Sequence, residues 1–197
     1  IYRLSLIKEF KNFVEVGTWN GEGSTKCFMD AILYRYDDSK LYTVEANIEF
    51  FEQARKYWAP ILSLGRTPFK KMEMLYGRLI EKEEMLSIDE VKSHKIFNQH
   101  PWLEWHTRNI SEYESCNNVI EDLPEEIDVL LLDGGQFSTR AEFDVLKNRT
   151  KVVILDDTTT FKTESIREEI LSCSDIWSII ADLPQERHGV MVASKNK

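Results

Sequence analysis

Short apolar runs alternate along this chain with longer segments in which apolar residues recur every three or four positions. The short runs predict strands at 12–16, 40–45, 69–76, 127–132, 151–155, 176–181 and 190–193. The longer segments predict helices at 2–10, 24–35, 48–58, 139–148 and 163–172. Alternation of strands and helices is typical of a mostly parallel sheet covered by helices on both faces. We therefore predict a doubly wound α/β fold with seven strands.

Three features refine this fold. The strands at 127–132 and 151–155 are almost continuously apolar, as expected for central strands. The last two strands are joined by a short turn that contains Pro184 and Gly189, which predicts an antiparallel hairpin at one edge. The regular pattern is lost at 78–122, and we interpret this segment as an insertion or lid within one domain that spans the whole chain.

The amino-acid composition limits the kinds of molecule that the protein is expected to bind. The chain has 197 residues, 42% of them hydrophobic, which suffices for one buried core. Its 34 acidic residues exceed its 25 basic residues, so no basic surface for nucleic acid is expected. The longest aliphatic runs are far shorter than the roughly 20 apolar residues that span a bilayer. We therefore expect a soluble protein with neither a nucleic-acid partner nor a membrane span.

The cysteine pattern bears on the cellular compartment of the protein, and the first residue bears on whether the chain is part of a longer polypeptide. Cys27, Cys116 and Cys173 lie far apart and form no CxxC pair, so neither a disulfide framework nor a thiolate zinc site is indicated. This usage favours a reducing compartment, and we expect a cytoplasmic protein. The first residue is Ile rather than Met, which is compatible with one domain of a longer polypeptide.

Glycines concentrate in two turns. Gly17, Gly21 and Gly23 lie in one turn, and Gly134 and Gly135 lie in the other. Ligands of open α/β sheets bind beyond the carboxyl ends of the strands, where both turns are expected. These turns are therefore the first places to look for a functional site.

The first turn follows strand 12–16 and reads EVGTWNGEGS, with a helix starting at Ser24. Such a helix start can point backbone N–H groups at a ligand. Trp19 stands where the dinucleotide fingerprint GxGxxG has its second glycine, and it would obstruct a pyrophosphate. A dinucleotide is therefore disfavoured, while an ordinary tight turn stays open as the alternative.

Glu45 closes the second strand. A carboxylate at this position can accept hydrogen bonds from both hydroxyls of a ribose. Glu45 is therefore a candidate ribose ligand, but alone it is weak evidence, because a surface glutamate after a strand is commonplace.

Asp133 follows one apolar strand, and Asp156 and Asp157 follow the next. Carboxylates after neighbouring strands should converge, and their repulsion is relieved by a cation or by protons. All-oxygen ligation favours magnesium, calcium or manganese over zinc. The alternative is that Asp156 or Asp157 caps the next helix.

These motifs carry a family resemblance. The spacing ExGxxxGxG resembles the cofactor loop of class I S-adenosylmethionine-dependent methyltransferases. The stretches 133–143 (DGGQFSTRAEF) and 155–158 (LDDT) resemble metal-dependent sugar O-methyltransferases of the macrocin and cephalosporin-tailoring type, found with glycan or capsule biosynthesis. The resemblance implies a Rossmann-like fold, S-adenosylmethionine as cofactor and a carbohydrate acceptor.

The resemblance also assigns residues. The implied metal ligands for Mg²⁺ or Mn²⁺ are Asp133, Asp156 and Asp157. The implied cofactor-binding residues are Glu15, Gly17, Thr18, Asn20, Gly21, Gly23, Ser24, Glu45, Ala46, Gly77 and Asp133.

The general base is the open question. Macrocin-type enzymes place an acid where this chain has Gly135, and catechol-type relatives place a lysine where it has Gln136. Gln cannot take a proton at neutral pH. The catalytic candidates are Asp133, Asp157 and His106, with His188 as a second histidine.

Trp102 and Trp105 lie in the insertion. Aromatic faces stack on sugars, so the pair is a candidate acceptor platform, and packing of the lid is an equal alternative. Two other functions stay open: a non-catalytic cofactor-binding module of the same fold, and a magnesium-dependent phosphohydrolase. The sequence does not identify the acceptor or the oligomeric state.

Overall fold

The computed structural model describes residues 1–64, 70–95, 97 and 101–196. The strands are β1 (Asn12–Val16), β2 (Lys40–Glu45), β3 (Met72–Tyr76), β4 (Ile127–Leu132), β5 (Thr150–Asp156), β6 (Trp177–Leu183) and β7 (Val190–Lys195). The helices are α1 (Tyr2–Ser5), α2 (Ser24–Ile32), α3 (Ile48–Ser63), α4 (Ile88–Ser93), α5 (Trp102–Ser115), α6 (Thr139–Leu146) and α7 (Glu164–Ser172).

The seven strands form one sheet in the order β3-β2-β1-β4-β5-β7-β6. Strands β1 to β5 run parallel. Strand β7 pairs antiparallel with β5, and β6 pairs antiparallel with β7. This arrangement confirms the predicted doubly wound α/β fold and the C-terminal hairpin at one edge.

Strand β4 explains why the central strands read as unbroken apolar runs. All six of its residues are buried. Leu130 and Leu132 pack into one hydrophobic cluster, whereas Val129 and Leu131 pack into the cluster on the other face of the sheet. Because alternate residues of a strand point to opposite faces, a sheet covered on both sides needs apolar residues at every position.

Several element ends differ from the predictions. The helix predicted at 2–10 ends at Ser5. Buried Arg35 donates to the carbonyl oxygens of Ser5, Ile7, Lys8 and Phe10, so these groups find tertiary partners instead of helical ones.

Other predicted boundaries shift as well. The helix predicted at 48–58 continues to Ser63 and includes Pro60. The third strand starts at Met72, whereas the predicted start, Phe69, lies outside the described residues.

The described part of the segment 78–122, which lacks 96 and 98–100, packs over the carboxyl edge of the sheet. It includes α4, α5 and 3₁₀ turns at Lys82–Glu84 and Ile120–Asp122. Trp102 and Tyr113 of α5 join Phe137, which follows β4, and Phe161, which follows β5, in a buried cluster. The segment therefore lies where a lid over the strand ends is expected.

Two further expectations concern the chain as a whole. The three cysteines all lie in the described part of the chain and are free thiols. Among the described helices, none has both the length and the apolar character that crossing a bilayer requires.

Candidate active site

A cleft of about 330 Å³ opens at the carboxyl edge of the sheet, between the ends of β1, β2 and β4 and one face of α5. Most of the predicted cofactor-binding residues line it. These are Gly17, Thr18, Gly23, Ser24, Glu45, Ala46, Gly77 and Asp133. Three motifs far apart in sequence therefore meet in one cavity.

Gly17 forms the contact between the glycine turn after β1 and the glycine turn after β4. Its φ is +94°, and a Cβ atom built there would lie 2.3 Å from the carbonyl oxygen of Asp133. Only glycine satisfies both the backbone conformation and this approach. The turn after β1 therefore rests directly on the turn after β4.

Glu15 lies beneath the cleft and does not line it. It is fully buried, and its Oε2 accepts hydrogen bonds from Thr25 Oγ1 at 2.6 Å and Thr43 Oγ1 at 2.7 Å. Among the described residues, none forms a hydrogen bond with its Oε1. Burial raises the pKa of Glu15 from 4.5 to about 7. This carboxyl joins β1, β2 and α2 under the turn.

Replacement of Glu15 by Gln should make the pH dependence of stability weaker. A carboxyl that binds its proton more tightly in the folded chain lowers the free energy of unfolding as pH rises from about 4.5 to about 7. Relative to wild type, Glu15→Gln should therefore gain about 2 kcal/mol between pH 5 and 8. Urea unfolding at both pH values measures this gain. Glu49→Gln, at an exposed position, is the control, and an equal effect of Glu15→Gln at both pH values would contradict the assignment.

Glu45 is held by backbone groups of the loops around it. Its Oε2 accepts from Trp19 N at 2.8 Å, and its Oε1 accepts from Asn47 N at 2.9 Å. Burial raises its pKa to about 6. Each carboxylate oxygen has a second lone pair, so the group can still accept from two ligand hydroxyls.

Asn20 and Gly21 were predicted to bind cofactor, but they lie outside the cleft lining. Asn20 Oδ1 accepts from Glu22 N and so closes the turn on itself. The carbonyl of Gly21 accepts from Trp58 Nε1, and a Cβ atom at Gly21 would clash with that indole. These residues shape the loop from outside the cavity.

Helix α5 supplies a wall that the sequence analysis missed. Arg108, Asn109, Glu112 and Tyr113 line the cleft. Their spacing of i, i+1, i+4 and i+5 marks one helical face, but three of the four are polar and gave no hydrophobic signal. Glu112 Oε1 accepts from the side chain of Asn47 at 2.7 Å, which joins α5 to the end of β2.

Glu142 is a second buried acid of the cleft that the sequence analysis did not assign. It is 2% exposed, and its Oε1 accepts from the hydroxyl of Tyr113. Burial raises its pKa to about 7. This contact joins α6 to α5 at the cleft.

The three predicted aspartates converge. One carboxylate oxygen from each of Asp133, Asp156 and Asp157 lies within 4.8 Å of the others, and we call these residues the carboxylate cluster. The N-cap of α7 is Thr163, and its first turn carries no side-chain cap from Asp156 or Asp157. The capping alternative is therefore wrong. Three carboxylates form an all-oxygen donor set that suits a hard divalent cation.

Lys162 lies within this cluster and was not predicted. Its Nζ is 2.7 Å from Asp133 Oδ1 and 2.7 Å from Asp157 Oδ2. Burial lowers its pKa, but the two carboxylates more than offset this effect and the pKa is raised. Because Lys162 lies in a loop, no hydrophobic periodicity marks its position. The sequence therefore did not indicate that the chain itself supplies a positive charge to the cluster.

Neither histidine candidate lies in the cleft lining. His106 is buried with its Nε2 2.7 Å from the carbonyl oxygen of Leu86, and its ring packs edge-on against Phe137. His188 is exposed in the turn before β7. His106 thus packs within the lid, outside the cleft lining, and its catalytic role stays a prediction.

The two tryptophans of α5 have different environments. Trp102 is 6% exposed and packs edge-on against Phe137 and Phe161. Trp105 is 37% exposed and lies at right angles to Trp102. Trp102 is therefore a packing residue of the lid, and Trp105 is the one that presents surface to solvent.

Comparisons with known proteins define the fold. No family model and no curated protein sequence matches the chain. Solved structures that it resembles include a caffeoyl-CoA O-methyltransferase homologue from Staphylococcus aureus, at 15% identity and TM-score 0.59, over 99% of this chain and 80% of that one.

Two further structures are similar. A methyltransferase from Podospora anserina with bound S-adenosylhomocysteine matches at 10% identity and TM-score 0.63, over 100% of this chain and 76% of that one. The O-methyltransferase TomG from Streptomyces achromogenes, in complex with S-adenosylmethionine, matches at 15% identity and TM-score 0.58, over 100% and 78%. The chain thus has the fold of class I S-adenosylmethionine-dependent methyltransferases.

Proposed function

We propose that this protein is an S-adenosylmethionine-dependent O-methyltransferase that methylates a sugar hydroxyl with the help of a divalent metal. The observation that carries the proposal is the cleft itself. The turn after β1, Glu45 and Asp133 line one cavity in a methyltransferase fold, next to the carboxylate cluster. The carbohydrate acceptor and the metal come from the sequence resemblance.

The cofactor would lie across the ends of β1, β2 and β4. Its sulfonium supplies an already activated methyl group. Glu45 would accept the ribose hydroxyls, while the uncapped start of α2 at Gly23 and Ser24 offers backbone N–H groups to the cofactor's polar end. The catalytic contribution of this chain is then mainly the positioning of two reactants.

Cofactor binding tests the first half of the proposal. Calorimetry should detect binding of S-adenosylhomocysteine and none of NAD. Glu45→Ala should weaken S-adenosylhomocysteine binding at least about tenfold, because a charged hydrogen-bond partner is worth roughly 1.5 kcal/mol or more. Exposed Glu49→Ala, one turn away, should bind like wild type. An affinity of Glu45→Ala within about twofold of wild type would show that Glu45 does not hold the ribose.

The carboxylate cluster would serve the acceptor. Asp133, Asp156 and Asp157 would hold a divalent ion, which when bound lowers the pKa of a hydroxyl that it contacts. Asp133 lies in both the cleft and the cluster, so it joins the cofactor half of the site to the acceptor half. Asp133 and Asp157 are the members of the predicted catalytic set that lie in this cluster.

Turnover tests the second half. Labelled S-adenosylmethionine should transfer its methyl group to one or more of a panel of deoxy-sugar glycosides. EDTA should abolish the transfer, and Mg²⁺ or Mn²⁺ should restore it. Asp156→Asn should slow the transfer and leave S-adenosylhomocysteine affinity unchanged. Full activity in chelator would remove the metal from the proposal, and no transfer to any acceptor would favour a cofactor-binding module without catalysis.

Trp105 is the proposed surface for the sugar. Trp105→Ala should raise the KM of the acceptor more than that of the cofactor, because its indole is 37% exposed and an exposed aromatic face can stack on a sugar. Trp102→Ala is the matched comparison, and it should instead cost about 3–5 kcal/mol of stability as a buried core residue. Steady-state kinetics and thermal unfolding separate the two. Equal KM effects on both substrates for Trp105→Ala would exclude it as a platform.

A further inference from the structure

Lys162 places a positive charge where the sequence resemblance puts a metal ion. Its Nζ contacts Asp133 Oδ1 and Asp157 Oδ2, and only 8% of its side chain is exposed. The backbone is held as well, because Lys162 N donates to Gln136 Oε1 and Thr160 Oγ1, both at 3.3 Å. The ammonium group of Lys162 is therefore held in a defined position within the carboxylate cluster.

A divalent ion bound to the same oxygens would lie close to this ammonium. Bonds from Mg²⁺ to oxygen are about 2.1 Å long, so an ion on Asp133 Oδ1 or Asp157 Oδ2 would lie within about 5 Å of Nζ. Like charges at that separation repel strongly in a half-buried site, where water screens them poorly. The two cations therefore cannot use these oxygens independently.

We propose that Lys162 is an intramolecular counter-ion that competes with divalent metal for Asp133 and Asp157. The inference rests on the metal site of the proposed function. Without metal, the ammonium pairs with two of the three carboxylates and offsets one negative charge. Metal binding requires the lysine side chain to leave their oxygens. Loss of the ammonium should then tighten metal binding, whereas loss of a residue that supports a metal ligand would weaken it.

The first experiment measures Mn²⁺ affinity of the whole chain from the electron paramagnetic resonance signal of free Mn²⁺. Lys162→Met should lower the Kd for Mn²⁺ at least about tenfold relative to wild type. Lys151→Met is the matched control, because Lys151 pairs with Asp128 at 2.7 Å at the opposite end of the same strands. Its Kd should equal that of wild type. An unchanged or higher Kd for Lys162→Met overturns the proposal.

A second measurement needs no variant and so does not depend on whether Lys162→Met folds. Wild-type protein is treated with acetic anhydride with and without Mn²⁺, and acetylation is read by mass spectrometry of peptides. Displacement should raise the labelled fraction of Lys162 at least about threefold and leave Lys151 unchanged. A labelled fraction that does not respond to Mn²⁺ overturns the proposal.

Binding of S-adenosylhomocysteine is measured on the same samples to separate this inference from the proposed function. Tighter Mn²⁺ binding by Lys162→Met without any binding of S-adenosylhomocysteine would support the counter-ion and contradict the methyltransferase. The reverse result would overturn the counter-ion alone. Absence of Mn²⁺ binding in every protein would overturn both the counter-ion and the metal.

Discussion

The parallel register of β1, β4 and β5 is the constraint on which the whole site depends. Val16 pairs with Leu132, and Leu132 pairs with Leu155, so the three strands end at the same level. The residues that follow them are therefore brought to one edge by backbone hydrogen bonds alone. Glu45 joins them because β2 pairs with β1 in the same direction. Glu45 and the three aspartates are thus placed by strand ends, while α5 and α6 add side chains to the cleft.

Several acidic groups lie near this edge of the sheet, and the structure reduces or pairs their negative charge in two ways. Glu15 and Glu142 are buried among hydroxyl groups, and burial raises the pKa of each toward neutrality. Asp133 and Asp157 instead keep a lysine between them. Hydroxyl donors and one ammonium thus balance charge that would otherwise oppose folding.

The sequence predicted what depends on local pattern. The bounds of β2 and β4 agree with those read from alternation and apolar runs, and the glycine turns lie at the cleft. What it missed depends on tertiary contact. The early end of α1 follows from the hydrogen bonds of Arg35, and the position of Lys162 follows from two loops meeting. The face of α5 that lines the cleft is mostly polar, so no hydrophobic periodicity marked it as part of the site.

The contact between Gly17 and the carbonyl of Asp133 couples the turn after β1 to the carboxylate cluster. A side chain at position 17 would push on the backbone that carries Asp133, since a Cβ atom there lies 2.3 Å from that oxygen. Lys162, whose ammonium group pairs with Asp133, would move with it. The turn after β1 and the turn after β4 therefore form one structural unit. Chimeras that exchange only one of them between proteins of this fold would join surfaces that do not match.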